Sequence, residues 1–147
     1  MITVGVGFLI FFLDQVSKLG INHWLENQMQ LSVIPGCFNL TLVYNTGAAF
    51  GIFKDQRWLL MVLAILCMFF VFYAFKLYGQ KNTYMAMALG LILGGALGNF
   101  VDRIRLGYVI DFLDFYISSH HWPAFNIADT AICVGVGLMM LRLSRAS

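Results

Sequence analysis

Charge is scarce in this chain. Asp, Glu, Lys and Arg make up 11% of its 147 residues, against roughly a quarter in a soluble domain. Too few remain to clothe a water-facing surface. The formal net charge of +2 is also too small to attract nucleic acid, whose binders carry a concentrated basic footprint. Cysteine is sparse too. Cys37, Cys67 and Cys133 form neither an even disulfide framework nor a CxxC half-site, and Cys67 and Cys133 sit inside apolar runs. HExxH is missing, and the adjacent His120 and His121 cannot both face one metal from a regular element, so no zinc site is expected. GxSxG is missing as well, no histidine lies within an apolar run, and no cysteine has a basic neighbour. Serine and cysteine nucleophiles therefore lack the base that would activate them.

What fills the chain instead is apolar: 61% of residues are hydrophobic, and the mean hydropathy is +0.82. Four segments, about 2–21, 58–75, 84–100 and 126–143, are long enough for spanning helices, which need about 20 residues with a range of roughly 17 to 25. They form one domain over residues 1–147, with outer segments at 22–57 and 101–125. The first run has no basic residue before its apolar core and no small-x-small cleavage site after it, so it reads as an uncleaved span and not as a secretory signal. The expected fold class is an all-α membrane protein: four transmembrane helices, with a small β-sheet cradle and an interfacial segment on the outer face.

Orientation follows from the basic residues. Lys76 and Lys81 crowd the short link between spans two and three, and Arg142 and Arg145 crowd the short tail, whereas Lys54, Arg57, Arg103 and Arg105 are spread through two long segments. The denser side faces the cytoplasm under the positive-inside rule, so both termini are expected there. All seven acidic residues lie in the first span, in the outer segments or at the outer end of span four. Carboxylate chemistry is thereby expected at the outer face.

In the first outer segment "CFNLTLVYN" alternates, with Phe38, Leu40, Leu42 and Tyr44 against Asn39, Thr41 and Val43. That pattern predicts a strand in a small sheet on the membrane surface. The small residues of "NTGAAF" after it let another chain come close. Such a sheet serves either as a plug over the bundle, the plainer reading, or as a platform where an extended peptide pairs along an edge. The second segment, Val101 to Phe125, holds Asp102, Arg103, Arg105, Asp111, Asp114, His120 and His121. Its half-apolar stretch "YVIDFLDFYI" predicts a segment lying in the membrane interface, with both histidines in a solvated loop.

Asp14 and Lys18 share a face of the first span at i and i+4, where a charge costs on the order of 2.5 to 3.5 kcal/mol by insertion scales. A mutual ion pair, with Lys18 snorkelling outward, answers that cost and is compatible with a supporting role near a site. Asn99, Asp102 and Arg103 end span three in "GNFVDR", and Asn126 and Asp129 open span four in "FNIAD". Read plainly, the first is a helix end closed by an Asp102–Arg103 pair, and the second is an N-cap with an acid at N3. Two such ends meeting at one depth also bring carboxylates together, where burial and like charge keep one of them protonated at neutral pH. Carboxylates sharing a proton are the working unit of an aspartic protease, one activating water and the other polarising the scissile carbonyl. Spacing alone does not choose the pair among Asp14, Asp102, Asp111 and Asp129.

Five motifs occur in order along the chain: "DQVSK" from Asp14, "NTGAAFG" from Asn45, "GNFVDR" from Gly98, "VIDF" from Val109 and "FNIAD" from Phe125. Together they resemble the lipoprotein signal peptidases, also called signal peptidase II or prolipoprotein signal peptidase. The resemblance implies a four-span aspartic endopeptidase of the bacterial inner membrane, cutting just before a cysteine that carries diacylglycerol. By the motif match Asp111 and Asp129 would be the catalytic dyad. Asp14, Lys18, Asn45, Asn99, Asp102, Arg103 and Asn126 would line or support the site, and Asn39 to Phe53 would form a cradle over the substrate. The implied partners are the prolipoprotein signal peptide with its diacylglyceryl cysteine, membrane lipid and globomycin-type inhibitors. A monomer without metal or organic cofactor is expected, active in the presence of chelators and of serine or thiol reagents.

Two rivals come from other classes. A small proton-coupled transporter or channel subunit also places Asp and Lys inside the membrane, but it needs polar residues through the whole depth, and "WLLMVLAILCMFFVFYAF" carries no charge. An assembly subunit packed through "GLILGGALG" leaves the clustered acids unexplained.

Overall fold

A single apolar segment in lipid has to satisfy its backbone hydrogen bonds internally, and the helix is the form that does so. The structure, a computed structural model, describes residues 1–48, 51–80 and 82–144. In chain order the elements are α1 (Ile2–Leu25), β1 (Gln30–Ile34), β2 (Phe38–Asn45), α2 (Arg57–Ala74), α3 (Thr83–Arg105), β3 (Val109–Ile117), β4 (His120–His121) and α4 (Ile127–Ser144), with a π-helical turn, Phe75–Gly79, continuing α2. All four helices are long and apolar enough to cross a membrane. The link between α2 and α3 lies at one end of the bundle and the strands at the other.

Two helices run past the apolar stretches that announced them. α1 continues beyond Ile21 to Leu25, and α3 beyond Phe100 to Arg105. The added turn of α1 carries Leu25 into a buried cluster with Leu42 and Ile110, where each such side chain contributes about 1.5–3 kcal/mol. This cluster seats the sheet on the bundle. The added turn of α3 keeps Asp102 and Arg103 helical with Asn99, so that Asp102 meets α1, Asn99 meets α1 and α4, and Arg103 reaches the loop after β2.

α3 is the buried axis of the bundle, while the other helices present most of their surface outward. Within lipid the hydrophobic effect does not hold helices together, so close backbone approach does. A Cβ on Gly95 would collide with the Ala128 carbonyl oxygen, and one on Gly98 would lie 2.5 Å from Asp14 Oδ2. Both positions set how near α1 and α4 come to α3.

The sheet is antiparallel in the order β1-β2-β3-β4. Between β2 and β3 the pairs Asn39↔Asp114 and Leu40↔Leu113 give way, after a bulge, to Val43↔Asp111 and Asn45↔Val109. The stretch expected to lie as an interfacial segment is therefore largely a strand. β3 is buried on both faces from Val109 to Phe112, so it shows no alternation, and a half-apolar run without alternation reads as interfacial. Of "NTGAAF", Ala49 and Phe50 lie outside the described residues, as do Lys81 and Arg145, two of the four basic residues behind the expected orientation.

Candidate active site

Asn126 precedes α4 and caps it. Its Oδ1 accepts from the Asp129 N–H at 2.9 Å, and its own N–H donates to Asp129 Oδ2 at 3.3 Å, the reciprocal cap that an Asn three residues before an acid predicts. The cap leaves both side chains with further work. Asn126 Nδ2 donates to Asp111 Oδ1 at 2.7 Å, and Asp129 Oδ1 accepts from Asn99 Nδ2 at 2.7 Å. Asp111 Oδ2 accepts from Asn45 Nδ2 at 2.8 Å. Asparagines from β2, α3 and the start of α4 thus hold the carboxylates of Asp111 and Asp129.

Asn45 is itself held. Its Oδ1 accepts from the Gly47 N–H at 2.8 Å, and the Gly47 carbonyl accepts from Arg103 Nη2 at 2.8 Å. Arg103 Nη1 also donates to the Asn99 carbonyl at 3.3 Å. The pairing of Asp102 with Arg103 expected at the end of α3 is not formed, because adjacent residues on a helix do not face each other. Arg103 turns to the β2 loop, and Asp102 turns to Lys18.

Lys18 does not snorkel outward. Its Nζ lies 2.8 Å from Asp14 Oδ2 and 2.8 Å from Asp102 Oδ2, and it donates to Asn99 Oδ1 at 3.0 Å. With Asp14 0% and Lys18 2% exposed, the charges are sealed between α1 and α3. Gln15 Nε2 adds a bond to Asp102 Oδ1 at 2.9 Å. Asp14 Oδ1 accepts from the Ala128 N–H at 3.0 Å, reaching the first turn of α4. The four candidate carboxylates are thereby separated: Asp14 and Asp102 are engaged by Lys18, while Asp111 and Asp129 line one cavity of about 510 Å³.

Asn45, Asn99 and Arg103 form the polar side of that cavity, and Phe125, Ile132 and Val134 belong to its apolar side. Asp111 is 2% exposed. Burial first, and the Asp129 charge second, push its carboxyl up to about 7 against the hydrogen bonds of Asn45 and Asn126. Such an arrangement can hold one proton between two carboxyl groups beside an open cavity.

Residues 6–145 match the family model described as Signal peptidase (SPase) II. The chain belongs to the signal peptidase II family. It is 44% identical over 146 residues to a lipoprotein signal peptidase of Pseudomonas fluorescens, with 96% of this chain and 86% of the relative covered. The relative of that name in Teredinibacter turnerae is 47% identical over 141 residues, with 92% and 83% covered. A solved bacterial membrane enzyme, determined by the in meso method, superposes with a TM-score of 0.89 at 34% identity, covering 97% of this chain and 87% of its own. Signal peptidase II membership makes the chain a protease and leaves the transporter reading without support.

Several residues at or near this cavity stand outside the sequence-based expectations. Gln15 carried a signal in hindsight, a polar side chain beside Asp14 in an apolar run. Trp122 and Pro123, which join the cavity wall, carried none. Nor did the pairing of His121 with Asp114, 2.8 Å apart between Nδ1 and Oδ1, where loop histidines were expected.

Proposed function

We propose that the chain is an aspartic endopeptidase that removes the signal peptide from prolipoproteins, cutting just before the diacylglyceryl-modified cysteine, with Asp111 and Asp129 as its dyad. The observation that carries this reading is that both carboxylates open on one cavity and are joined through Asn126. Asp111 keeps a proton up to about pH 7 and donates it to the scissile carbonyl oxygen. Asp129, its oxygens oriented by Asn99 and by the Asn126 N–H, takes a proton from the attacking water. A tetrahedral diol forms. On its collapse Asp129 returns the proton to the leaving cysteine nitrogen, the C–N bond breaks, and Asp111 recovers its proton from the hydroxyl.

The substrate class follows from where the cavity opens. Cys133 and Val134 line it and are also exposed on the outward flank of α4, so acyl chains and a signal helix enter sideways from lipid. Asn39 to Phe53 covers the substrate from above. Both termini face the cytoplasm, the dyad lies at the outer face of the bacterial inner membrane, the enzyme works as a monomer, and globomycin-type inhibitors occupy the same cavity.

The test offers purified protein one prolipoprotein with and without diacylglycerol on its cysteine. Cleavage of the lipidated form alone is expected, since acyl-chain binding positions the scissile bond. Equal cleavage of both forms would refute the substrate claim.

A further inference from the structure

The segment from Ser118 to Phe125 leaves the end of β3, turns, and returns to α4, supplying Trp122, Pro123, Ala124 and Phe125 to the cavity wall. Its backbone is tied to β3 at two points, where the Trp122 N–H donates to the Phe115 carbonyl at 2.8 Å and where Phe125 bridges to Leu113, its carbonyl accepting from the Leu113 N–H at 2.8 Å. β4 is two residues long, a pairing of marginal stability in isolation, and the turn before it sets Ser118 at φ +57, a conformation that is uncommon for a non-glycine residue. Side chains add to the backbone's hold on the wall.

On one face of β3 they do so by stacking. Phe38 and Phe115 have ring centroids 4.6 Å apart, and Phe115 and Phe125 5.9 Å apart at 15°. Asp114 lies three positions after Asp111, and alternation along a strand turns it to the opposite face. There Asp114 Oδ2 accepts from Asn39 Nδ2 at 3.2 Å and from Thr41 Oγ1 at 3.3 Å, while Oδ1 lies 2.8 Å from His121 Nδ1. An ionised carboxylate only accepts, so Nδ1 is the donor. Burial pushes the Asp114 carboxyl up, but the bonds from His121, Asn39 and Thr41 outweigh it and hold the group below the usual carboxylate range. The His121 ring also stacks on Tyr116 at 4.8 Å and 10°, and the Tyr116 hydroxyl accepts from the Gly36 N–H at 2.8 Å. One carboxylate thus ties β2, β3 and β4 together one residue before Trp122.

We propose that Asp114 and His121 are positioning residues: a clasp that fixes the Trp122 to Phe125 wall against the cavity and so sets how tightly substrate is bound, without touching the reacting atoms. The inference rests on the function proposed above for this cavity. Asp114 does not line the cavity, and the clasp acts through the wall that does. Binding energy spent on orienting the peptide is lost when the wall moves, whereas the dyad with its three asparagines is left in place.

The experiment measures kcat and KM for a lipidated prolipoprotein in full-length wild type, His121→Ala, Asp114→Asn and the double variant. KM should rise on the order of 10-fold in His121→Ala, with kcat and the pH dependence of kcat/KM unchanged. The double variant should bind no worse than the weaker single one, as expected for two halves of one contact. A fall in kcat at constant KM, an unchanged KM, or additive effects in the double variant would each overturn the proposal. A substrate-free readout separates this result from the proposed function. In protein with Trp24→Phe and Trp58→Phe, Trp122 fluorescence anisotropy should fall on His121→Ala. Unchanged anisotropy overturns the clasp even if cleavage proceeds as proposed, and reduced anisotropy supports it even if lipidated substrate is not cleaved.

Discussion

Asp14 Oδ1 accepts a hydrogen bond from the main-chain N–H of Ala128 at 3.0 Å, across 114 positions of sequence. An aspartate in α1 thereby takes one of the unsatisfied donors at the start of α4, and Ala128 is the residue before Asp129. The position of Asp129, one of the two carboxylates on the cavity, is set by a helix at the other end of the chain. Asp14→Ala removes this anchor and leaves Lys18 with fewer partners at a buried site, which costs about 3 kcal/mol or more. Thermal unfolding in detergent should show that loss together with a fall in turnover. Gly98→Ala, whose Cβ would stand 2.5 Å from Asp14 Oδ2, should reproduce both effects with every charge retained.

Asp111→Asn and Asp129→Asn should each lower turnover at least about 10³-fold, and at about pH 4, where Asp111 carries its proton, Asp111→Asn should melt near wild type. Asp102→Asn should behave otherwise, losing stability together with activity, since it weakens the hold on Lys18. Substantial cleavage by Asp111→Asn, alongside a well-folded but inactive Asp102→Asn, would reassign the dyad to Asp102 and Asp129.

The parts of the fold that were legible in sequence are those whose solvent declares itself. The spanning helices show as apolar runs, and β2 shows as alternation of residue type, although its burial does not keep to one face, since Asn39 and Leu42 are both buried and Tyr44 is exposed. β3 escaped because both its faces are buried from Val109 to Phe112, which erases the period. Within the site, i and i+3 spacing announced the reciprocal cap of Asn126 and Asp129, since both ends of that contact lie in one helical turn. The partners of Lys18, Arg103 and Asp114 depend on where α3, the β2 loop and β4 arrive in space, and no local pattern encodes that. Lys18 looked as if it should reach for water because nothing near it in sequence revealed Asp102.

The pH dependence follows from Asp111, whose carboxyl moves from 3.8 to about 7 on folding. Between these values the folded protein binds a proton that the unfolded chain does not. The group's stabilising contribution is therefore complete below about pH 4 and lost as pH rises through about 7. Wild type should lose melting temperature relative to Asp111→Asn across that interval, and two parallel curves would contradict the shift. If Asp111 belongs to the dyad proposed above, activity should show an alkaline limb near pH 7, where that carboxyl gives up its proton, read from the pH profile of kcat/KM.

Chelators and serine reagents should leave activity intact, because the proposed chemistry rests on carboxylates and water. Thiol reagents need a revised expectation. Cys133 lies one turn after Asp129 and lines the cavity, so a bulky maleimide should inhibit by filling space, while a small methylthio group should not. Cys133→Ser should retain turnover and resist the maleimide, whereas inhibition of that variant to the same extent would place the effect at Cys37 or Cys67.

The ion pair inside α1 also bears on how the chain is made. Asp14 and Lys18 leave the ribosome long before Asp102, the second carboxylate on Lys18, has been synthesised, and α2 must be inserted in between. A helix with a lone charge at that depth would be held back from lipid by several kcal/mol. At i and i+4, 2.8 Å apart, the two residues neutralise each other within a single helix, so α1 can wait in the bilayer as a provisional neutral rod. The same carboxylate is then ready, when α4 arrives last, to receive the Ala128 N–H and fasten the helix that completes the enzyme.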